Sequence, residues 1–179
     1  MITRLRHAWL ALVTLPGVLF SRQRRALFRE MRAFTRSLPD VLKAPLPDAM
    51  KQIASAGVEA SAGDRLTPRG RFAEARLRSE QLDEQIARNL ADVVVLLDRR
   101  SPLGLCLRRS LTRYHFLRRA GVPVVVHFGA KFVNGQADRD IAGHAWLSLN
   151  GQAYHESDEN WRGFTVMLSF PQDNGKITT

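Results

Sequence analysis

Cys106 is the residue of this chain best suited to covalent chemistry. It is the one thiol among 179 residues, which excludes an internal disulfide, a four-thiolate zinc site and a Cys-x-x-Cys redox pair. A thiol becomes nucleophilic as its thiolate, which forms near a helix N-terminus or beside a histidine or a cation. Arg108 and Arg109 follow closely, but a cysteine among leucines is also a common core filler. A catalytic interpretation therefore requires a proton acceptor elsewhere in the chain.

His144 is the candidate proton acceptor. It lies in the segment Gly143–Leu149, whose alternating pattern predicts a strand. Ala145, Leu147 and Leu149 then lie on the apolar face, and His144, Trp146 and Ser148 on the other. His127 falls within a continuous apolar run and is interpreted as a structural histidine. His7, His115 and His155 show no partner pattern, so we expect them at the surface.

The elements that must position these residues follow from hydrophobic periodicity and from prolines and glycines. Helices are predicted over residues 21–38, ended by Pro39-Asp40, and over residues 71–97. Residues 44–70 are rich in Pro and Gly and predict a linker that could hold a short helix at 47–56. Ser101-Pro102 is typical of an N-cap and a first-turn proline, and the helix that follows should end at Gly121. Strands are predicted at 124–128, 144–149, 152–156 and 164–170, with a loop at 129–142.

This order predicts an α+β fold, with a helical region at 1–97, a catalytic domain at 98–171 and a flexible tail at 172–179. The catalytic domain consists of the Cys106 helix and an antiparallel sheet. Backbone N–H groups at the start of that helix supply an oxyanion-hole donor if the helix begins near Gly104, but not if it begins at Pro102. Trp146 and Trp161 either line the cleft or pack in the core.

A cysteine near a helix start, a histidine on a later strand and an acid on the paired strand form a Cys-His-acid arrangement. The segments Cys106–Leu111, Ala120–Pro123 and Gly143–Leu147, with Asn150-Gly151, resemble the transglutaminase-like C-terminal domain of lasso-peptide maturation proteases, the B proteins. The resemblance covers about residues 98–171. It implies a papain-like or transglutaminase-like fold and removal of the leader from a ribosomally made precursor peptide. It also implies Cys106 as the nucleophile and His144 as the general base.

By the same resemblance the third member of the triad falls on Glu156, where the family usually has Asp, and Asp158 is the alternative. If Asn150-Gly151 is a two-residue type I′ turn, paired positions sum to 301 and Glu156 points to the apolar face. If Leu149-Asn150 forms a type I turn with Gly151 as the bulge residue, the sum is 300 and Glu156 lies opposite His144. We predict the second register and Glu156.

The chain carries 27 Lys and Arg against 17 Asp and Glu, a formal charge of +10, so anionic partners are expected. Eight arginines and only two acids lie in residues 1–40. The apolar run Ala8–Phe20 is too short to span a bilayer of about 30 Å and lacks an Ala-x-Ala cleavage site. We expect it to lie on a membrane or on the domain, in a cytoplasmic protein.

No phosphate-binding loop, dinucleotide-binding fingerprint, HExxH motif or paired Cys/His spacing is present, so no cofactor or metal is expected. The resemblance implies a precursor peptide as substrate, a separate small leader-recognition protein and an asparagine-synthetase-like cyclase as partners. The alternative functions are an acyltransferase or amidase on another substrate, a basic nucleic-acid-binding protein, and an inactive scaffold. No nucleic-acid-reading motif is legible, which argues against the nucleic-acid-binding alternative.

Overall fold

The computed structural model describes residues 21–62, 73–132 and 141–172, which form two compact units. The first ends at Val122 and the second begins at Pro123, so the division falls after the Cys106 helix and not near residue 98. The first unit is helical and the second contains an antiparallel sheet, which confirms the α+β fold. The predicted membrane or packing segment 8–20, the linker residues 63–70, most of the loop before residue 141 and nearly all of the predicted tail lie outside the described residues.

The described part of the first unit contains four helices: α1 (Arg22–Val41), α2 (Leu46–Ala62), α3 (Ala73–Leu97) and α4 (Leu105–Arg119). The α1 and α3 predictions are confirmed, but α1 runs past Pro39, because a proline near a helix end removes only one hydrogen bond. The short helix predicted at 47–56 is present but longer than predicted, since α2 occupies Leu46–Ala62 and replaces most of the predicted linker. Pro45 and Pro47 lie at its start, where the missing N–H of a proline has no helical acceptor to lose.

The core of the first unit lies where α3 packs on α4, with α1 against both and α2 against α4. The apolar side chains that are almost fully buried there come from all four helices: Met31, Leu38, Met50, Ile53, Leu90, Val94, Leu111, Tyr114 and Leu117. Two polar contacts tie α4 to its neighbours. Arg113 makes a bidentate ion pair with Asp92 at 2.7 and 2.6 Å, and the hydroxyls of Thr35 and Thr112 lie 3.2 Å apart.

His115 belongs to this core, so the prediction of a surface position is wrong. It is 5% exposed, its ring stacks on Phe34 at 4.3 Å, and its Nδ1 lies 3.0 Å from the carbonyl oxygen of Ile53. Burial lowers the pKa of His115 below its usual 6.5, and the positive charge of Arg119 adds to this, while the Ile53 hydrogen bond and Glu30 oppose it. This histidine therefore acts as a neutral element of the helical core.

The second unit contains a four-stranded sheet with the order β3-β2-β1-β4 in its described residues. The strands are β1 (Val125–Phe132), β2 (Ile141–Leu149), β3 (Gln152–Ala153) and β4 (Thr165–Phe170), and a short helix α5 (Asp158–Trp161) precedes β4. The four predicted strands are present, although β1 and β2 extend into the predicted loop and β3 is only two residues long. No described helix is both long enough and apolar enough to cross a membrane.

Candidate functional site

Cys106 lies in the first turn of α4. The helix begins at Leu105 with Gly104 as its N-cap, and its first i to i−4 hydrogen bond runs from Arg108 N–H to the Gly104 carbonyl. The N-cap predicted at Ser101 is wrong: its Oγ instead accepts the N–H of Leu103 in the preceding turn. The N–H groups of a first helical turn point away from the helix, and their partial positive charge stabilises a thiolate. The start of α4 thus meets the condition for an oxyanion-hole donor at this helix end.

Arg108 holds the loop that leads into this turn. Its side chain is nearly buried, and Nε donates to the Leu103 carbonyl at 3.1 Å. Nη1 donates to the carbonyls of Val95 and Asp98 and lies 3.3 Å from the Asp98 carboxylate. One guanidinium therefore joins the end of α3 to the residues just before α4. Sequence reasoning did not assign this role, because the acceptors are backbone carbonyls that leave no residue signature.

His144 lies in β2, opposite Gly129 of β1. Its ring contacts those of Trp146, at 5.9 Å between ring centroids, and Phe164, at 5.3 Å. Its side chain is 15% exposed, and Nε2 lies 4.0 Å from Oε1 of Glu156. That separation is longer than a hydrogen bond, yet it suits an electrostatic contact with a protonated imidazole. The structure thus brings together the predicted base and the predicted acid.

The backbone path that places Glu156 beside His144 differs from the predicted hairpin register. Asn150 and Gly151 both have positive φ, at 52° and 78°, and Leu149 pairs with Gln152, so the turn is of type I′ and the register sum is 301. The predicted sum of 300 is wrong. The ladder ends early, because His155 adopts a left-handed φ of 50° and turns the chain out of β3. Glu156 follows this turn and is not on a regular strand.

Glu156 is held in place by a neighbour on α5. Its side chain is 5% exposed, and Oε1 accepts a hydrogen bond from Nδ2 of Asn160 at 2.6 Å. The alternative acid, Asp158, is more than half exposed and pairs with Arg162 at 2.6 Å. The structure therefore places Glu156 and not Asp158 beside His144. Whether Glu156 serves in catalysis stays a prediction.

Aromatic rings surround His144. Trp146 is 4% exposed and its ring stacks on those of His144 and Trp161. A side chain at Gly129 would collide with the Trp146 ring, because its Cβ would lie 2.8 Å from two ring atoms. A glycine inside a strand is the sequence signal for such a close approach, but it was not used in the predictions. Phe164 was also missed, and no sequence pattern distinguishes it from a core residue.

Two buried nitrogens in the described residues have no hydrogen-bond partner: Nε2 of His144 and the indole Nε1 of Trp161. Buried polar groups are usually satisfied, so such atoms indicate a ligand-binding or catalytic role. Both belong to the same aromatic cluster of the second unit, since the Trp146 ring stacks on both. Of the two, Nε2 of His144 faces the Glu156 carboxylate, and the indole N–H of Trp161 is a donor that a substrate could use.

His127 has a different environment from His144, although both lie on the same face of the sheet. Its Nδ1 lies 2.8 Å from Oγ of Ser169, and its Nε2 lies 2.7 Å from Oγ of Ser148. Both nitrogens are thus committed to hydroxyl groups of the neighbouring strands. This arrangement supports the structural interpretation of His127.

Among the described residues, no group of three or more His, Cys, Asp or Glu side chains could hold a metal ion.

Comparison with known proteins gives one family. The sequence model of the transglutaminase-like superfamily matches residues 53–169. The match begins well before residue 98, so the predicted extent of the resemblance was too short, and it includes both Cys106 and His144. No curated protein and no solved structure matches the chain.

Proposed function

The chain belongs to the transglutaminase-like superfamily, whose members usually carry cysteine protease or acyl-transfer activity, and we propose that this member is a cysteine peptidase. Its substrate in this proposal is a ribosomally synthesised precursor peptide, from which it removes the leader during lasso-peptide maturation. The observation that carries the proposal is the approach of His144 Nε2 to the buried Glu156 carboxylate at 4.0 Å. An acid beside one imidazole nitrogen orients the ring, so that the other nitrogen can accept a thiol proton.

In this proposal the residues have the following roles. His144 uses Nδ1 to take the proton of the Cys106 thiol, and the thiolate attacks the scissile carbonyl carbon. The imidazolium then returns the proton to the leaving amine as the C–N bond breaks, which leaves a thioester on Cys106. A water molecule, deprotonated by His144, hydrolyses the thioester and restores the thiol. Glu156 holds the imidazole in place and stabilises the imidazolium.

A side-chain donor for the developing oxyanion is supplied in this proposal by Trp161, whose indole N–H is buried without a partner. The start of α4 supplies the backbone donor. Two preorganised donors are the usual complement of an oxyanion hole, and each contributes about 3 kcal/mol to transition-state stabilisation.

Leader recognition and ring closure belong to other proteins in this proposal. The precursor would be presented by a separate small leader-recognition protein, and an asparagine-synthetase-like enzyme would close the ring. These partners rest on the resemblance of the Cys106 and His144 segments to the lasso-peptide B proteins.

The test is cleavage of candidate precursor peptides, with and without a leader-recognition protein, followed by mass spectrometry. We expect a leader fragment from the wild-type protein and none from Cys106→Ala, which removes the nucleophile but little buried volume. Because the chain has one cysteine, alkylation by iodoacetamide should abolish the same activity. Cleavage at wild-type rate by Cys106→Ala would contradict the assignment.

Acyl transfer is the second candidate function, because the thioester intermediate can pass its acyl group to an amine as well as to water. Addition of a primary amine such as methylamine separates the two. A peptidase gives the free carboxylate as its main product, whereas an acyltransferase gives the amide.

A further inference from the structure

A row of arginines lies along the solvent-exposed side of α1. Arg22, Arg25, Arg29, Arg32 and Arg36, here called the arginine stripe, are all exposed. Their spacings of three and four residues confine them to about a quarter of the helix circumference and distribute them over about 21 Å. The opposite side of the same helix is buried through Met31, Thr35 and Leu38. The stripe is therefore fixed on one outer face of the first unit.

The positive charge of the arginine stripe is not neutralised by ion pairs within the described part of the chain. None of its five guanidinium groups forms an ion pair or hydrogen bond with another described residue. The two acids of α1 are engaged with other cations, Glu30 with Arg119 and Asp40 with Lys43. Five like charges on adjacent turns repel one another, and an anionic surface would relieve this repulsion.

We propose that the arginine stripe binds the surface of a membrane that contains anionic lipids. The run Ala8–Phe20 directly precedes α1 in the sequence and is almost entirely apolar. Buried apolar area and attraction of cations to anionic lipids both strengthen peripheral binding, and an apolar segment next to a polybasic face supplies the two together. A nucleic acid would be attracted by the arginines but would not bury the apolar run.

The side chains between the arginines support the same partner. Ala26, Ala33 and Ser37 are exposed on the same side of α1, and their small size allows the helix to lie close to lipid headgroups. No aromatic side chain is exposed on that face among the described residues of α1, so stacking on bases is not available. The proposal goes beyond the peptidase function and does not depend on it.

The experiment is co-sedimentation of the full-length protein with vesicles of phosphatidylcholine alone or mixed with phosphatidylglycerol, at low and high salt. We expect binding to the anionic vesicles that is lost at high salt, because salt screens charges over about 8 to 10 Å. Each arginine near an anionic surface contributes about fivefold to binding, so Arg25→Gln, Arg29→Gln and Arg32→Gln together should lower the partition coefficient about 100-fold.

A matched control removes three other exposed cations: Arg99→Gln, Arg100→Gln and Arg118→Gln. This variant has the same net charge as the stripe variant and should lose at most a few-fold in binding. Leu12→Asp tests the apolar run and should also weaken vesicle binding, while leaving binding to a duplex oligonucleotide unchanged. Thermal melts establish that all three variants are folded.

Four results would overturn the proposal. They are equal binding to neutral and anionic vesicles, equal losses in the stripe and control variants, undiminished vesicle binding by Leu12→Asp, and capture by a duplex oligonucleotide without binding to vesicles. None of these measurements uses cleavage of a peptide, so the outcome is independent of the proposed enzymatic activity.

Discussion

Nε2 of His144 lies 4.0 Å from Oε1 of Glu156, and both side chains are largely buried. A carboxylate in this position can orient the imidazole and stabilise its protonated form, whereas a glutamine can only hydrogen-bond. Asp158 is two residues further on, but it is exposed and ion-paired with Arg162. These two acids therefore provide a matched pair for a test of the third member of the triad.

Glu156→Gln should lower kcat/KM for precursor cleavage by about 100-fold, and Asp158→Asn should change it by less than about twofold. The Glu156→Gln loss should be smaller than that caused by Cys106→Ala, because the acid orients the base and is not consumed. Steady-state kinetics of both variants provide the measurement. A larger loss in Asp158→Asn would exchange the roles of the two acids.

The same pair of residues indicates how far the sequence could predict the site. Sequence resemblance predicted Cys106, His144 and Glu156 as the triad, and the structure brings the side chains of the last two together. The predicted hairpin register was wrong, because Asn150-Gly151 forms a type I′ turn and His155 then ends the ladder. A left-handed histidine has no reliable sequence signature, since its conformation depends on the contacts around it.

The helical unit shows a second limit of sequence reasoning. Periodicity found α1 and α3, but α2 was predicted only as a short helix at 47–56 within a linker, because prolines, glycines, alanines and serines dominate that stretch. Burial of Ala49, Met50 and Ile53 against the unit compensates for the weak helix propensity of this sequence. The burial of His115 was missed because its acceptor is a backbone carbonyl, that of Ile53, which leaves no residue signature in the sequence.

The two histidines on the sheet face should respond differently to truncation. His144→Ala should lower kcat/KM about 1000-fold or more, because it removes the proposed general base. His127→Ala should mainly reduce stability, by about 2 kcal/mol, since two hydrogen bonds to Ser148 and Ser169 are lost.

Thermal melts beside activity measurements on the folded fraction distinguish these effects. The opposite pattern, a folded but inactive His127→Ala and an unstable His144→Ala, would reverse the roles assigned to the two side chains. Equal losses of activity in both folded variants would indicate that the two histidines act together.

The indole N–H of Trp161 is the third feature to test. Trp161→Phe keeps an aromatic ring in contact with Trp146 but removes a buried donor without a partner. If this donor binds a substrate carbonyl in the transition state, kcat should fall by about 100-fold with little change in KM. The free energy of unfolding should change by no more than about 1 kcal/mol, because loss of an unsatisfied polar group offsets the lost packing.

Unchanged kcat in a folded Trp161→Phe protein would assign this residue to packing alone. Met167→Ala is a suitable control, since this apolar side chain is 71% exposed on β4 and should affect neither kcat nor the melting temperature.

The last prediction concerns pH and the helical core. Burial lowers the pKa of His115 in the folded protein below the value of 6.5 that it has when exposed on unfolding. The unfolded chain therefore binds a proton at a pH where folded His115 stays neutral. The stability contributed by this neutral ring is complete above pH 6.5 and decreases as the pH falls through 6.5 toward the lower folded pKa, by at most about 1.4 kcal/mol per pH unit.

His115→Gln removes the titration and keeps a donor that can reach the Ile53 carbonyl. Denaturant unfolding of both proteins across the range from neutral to acidic pH should give parallel curves above pH 6.5 and a steeper loss for the wild-type protein below it. The variant will be less stable at neutral pH, because it loses the stacking of the ring on Phe34. The test is the difference between the two proteins in the slope of unfolding free energy against pH, since the remaining titratable groups are common to both chains. Identical slopes below pH 6.5 would mean that His115 is protonated in the folded core as readily as in the unfolded chain.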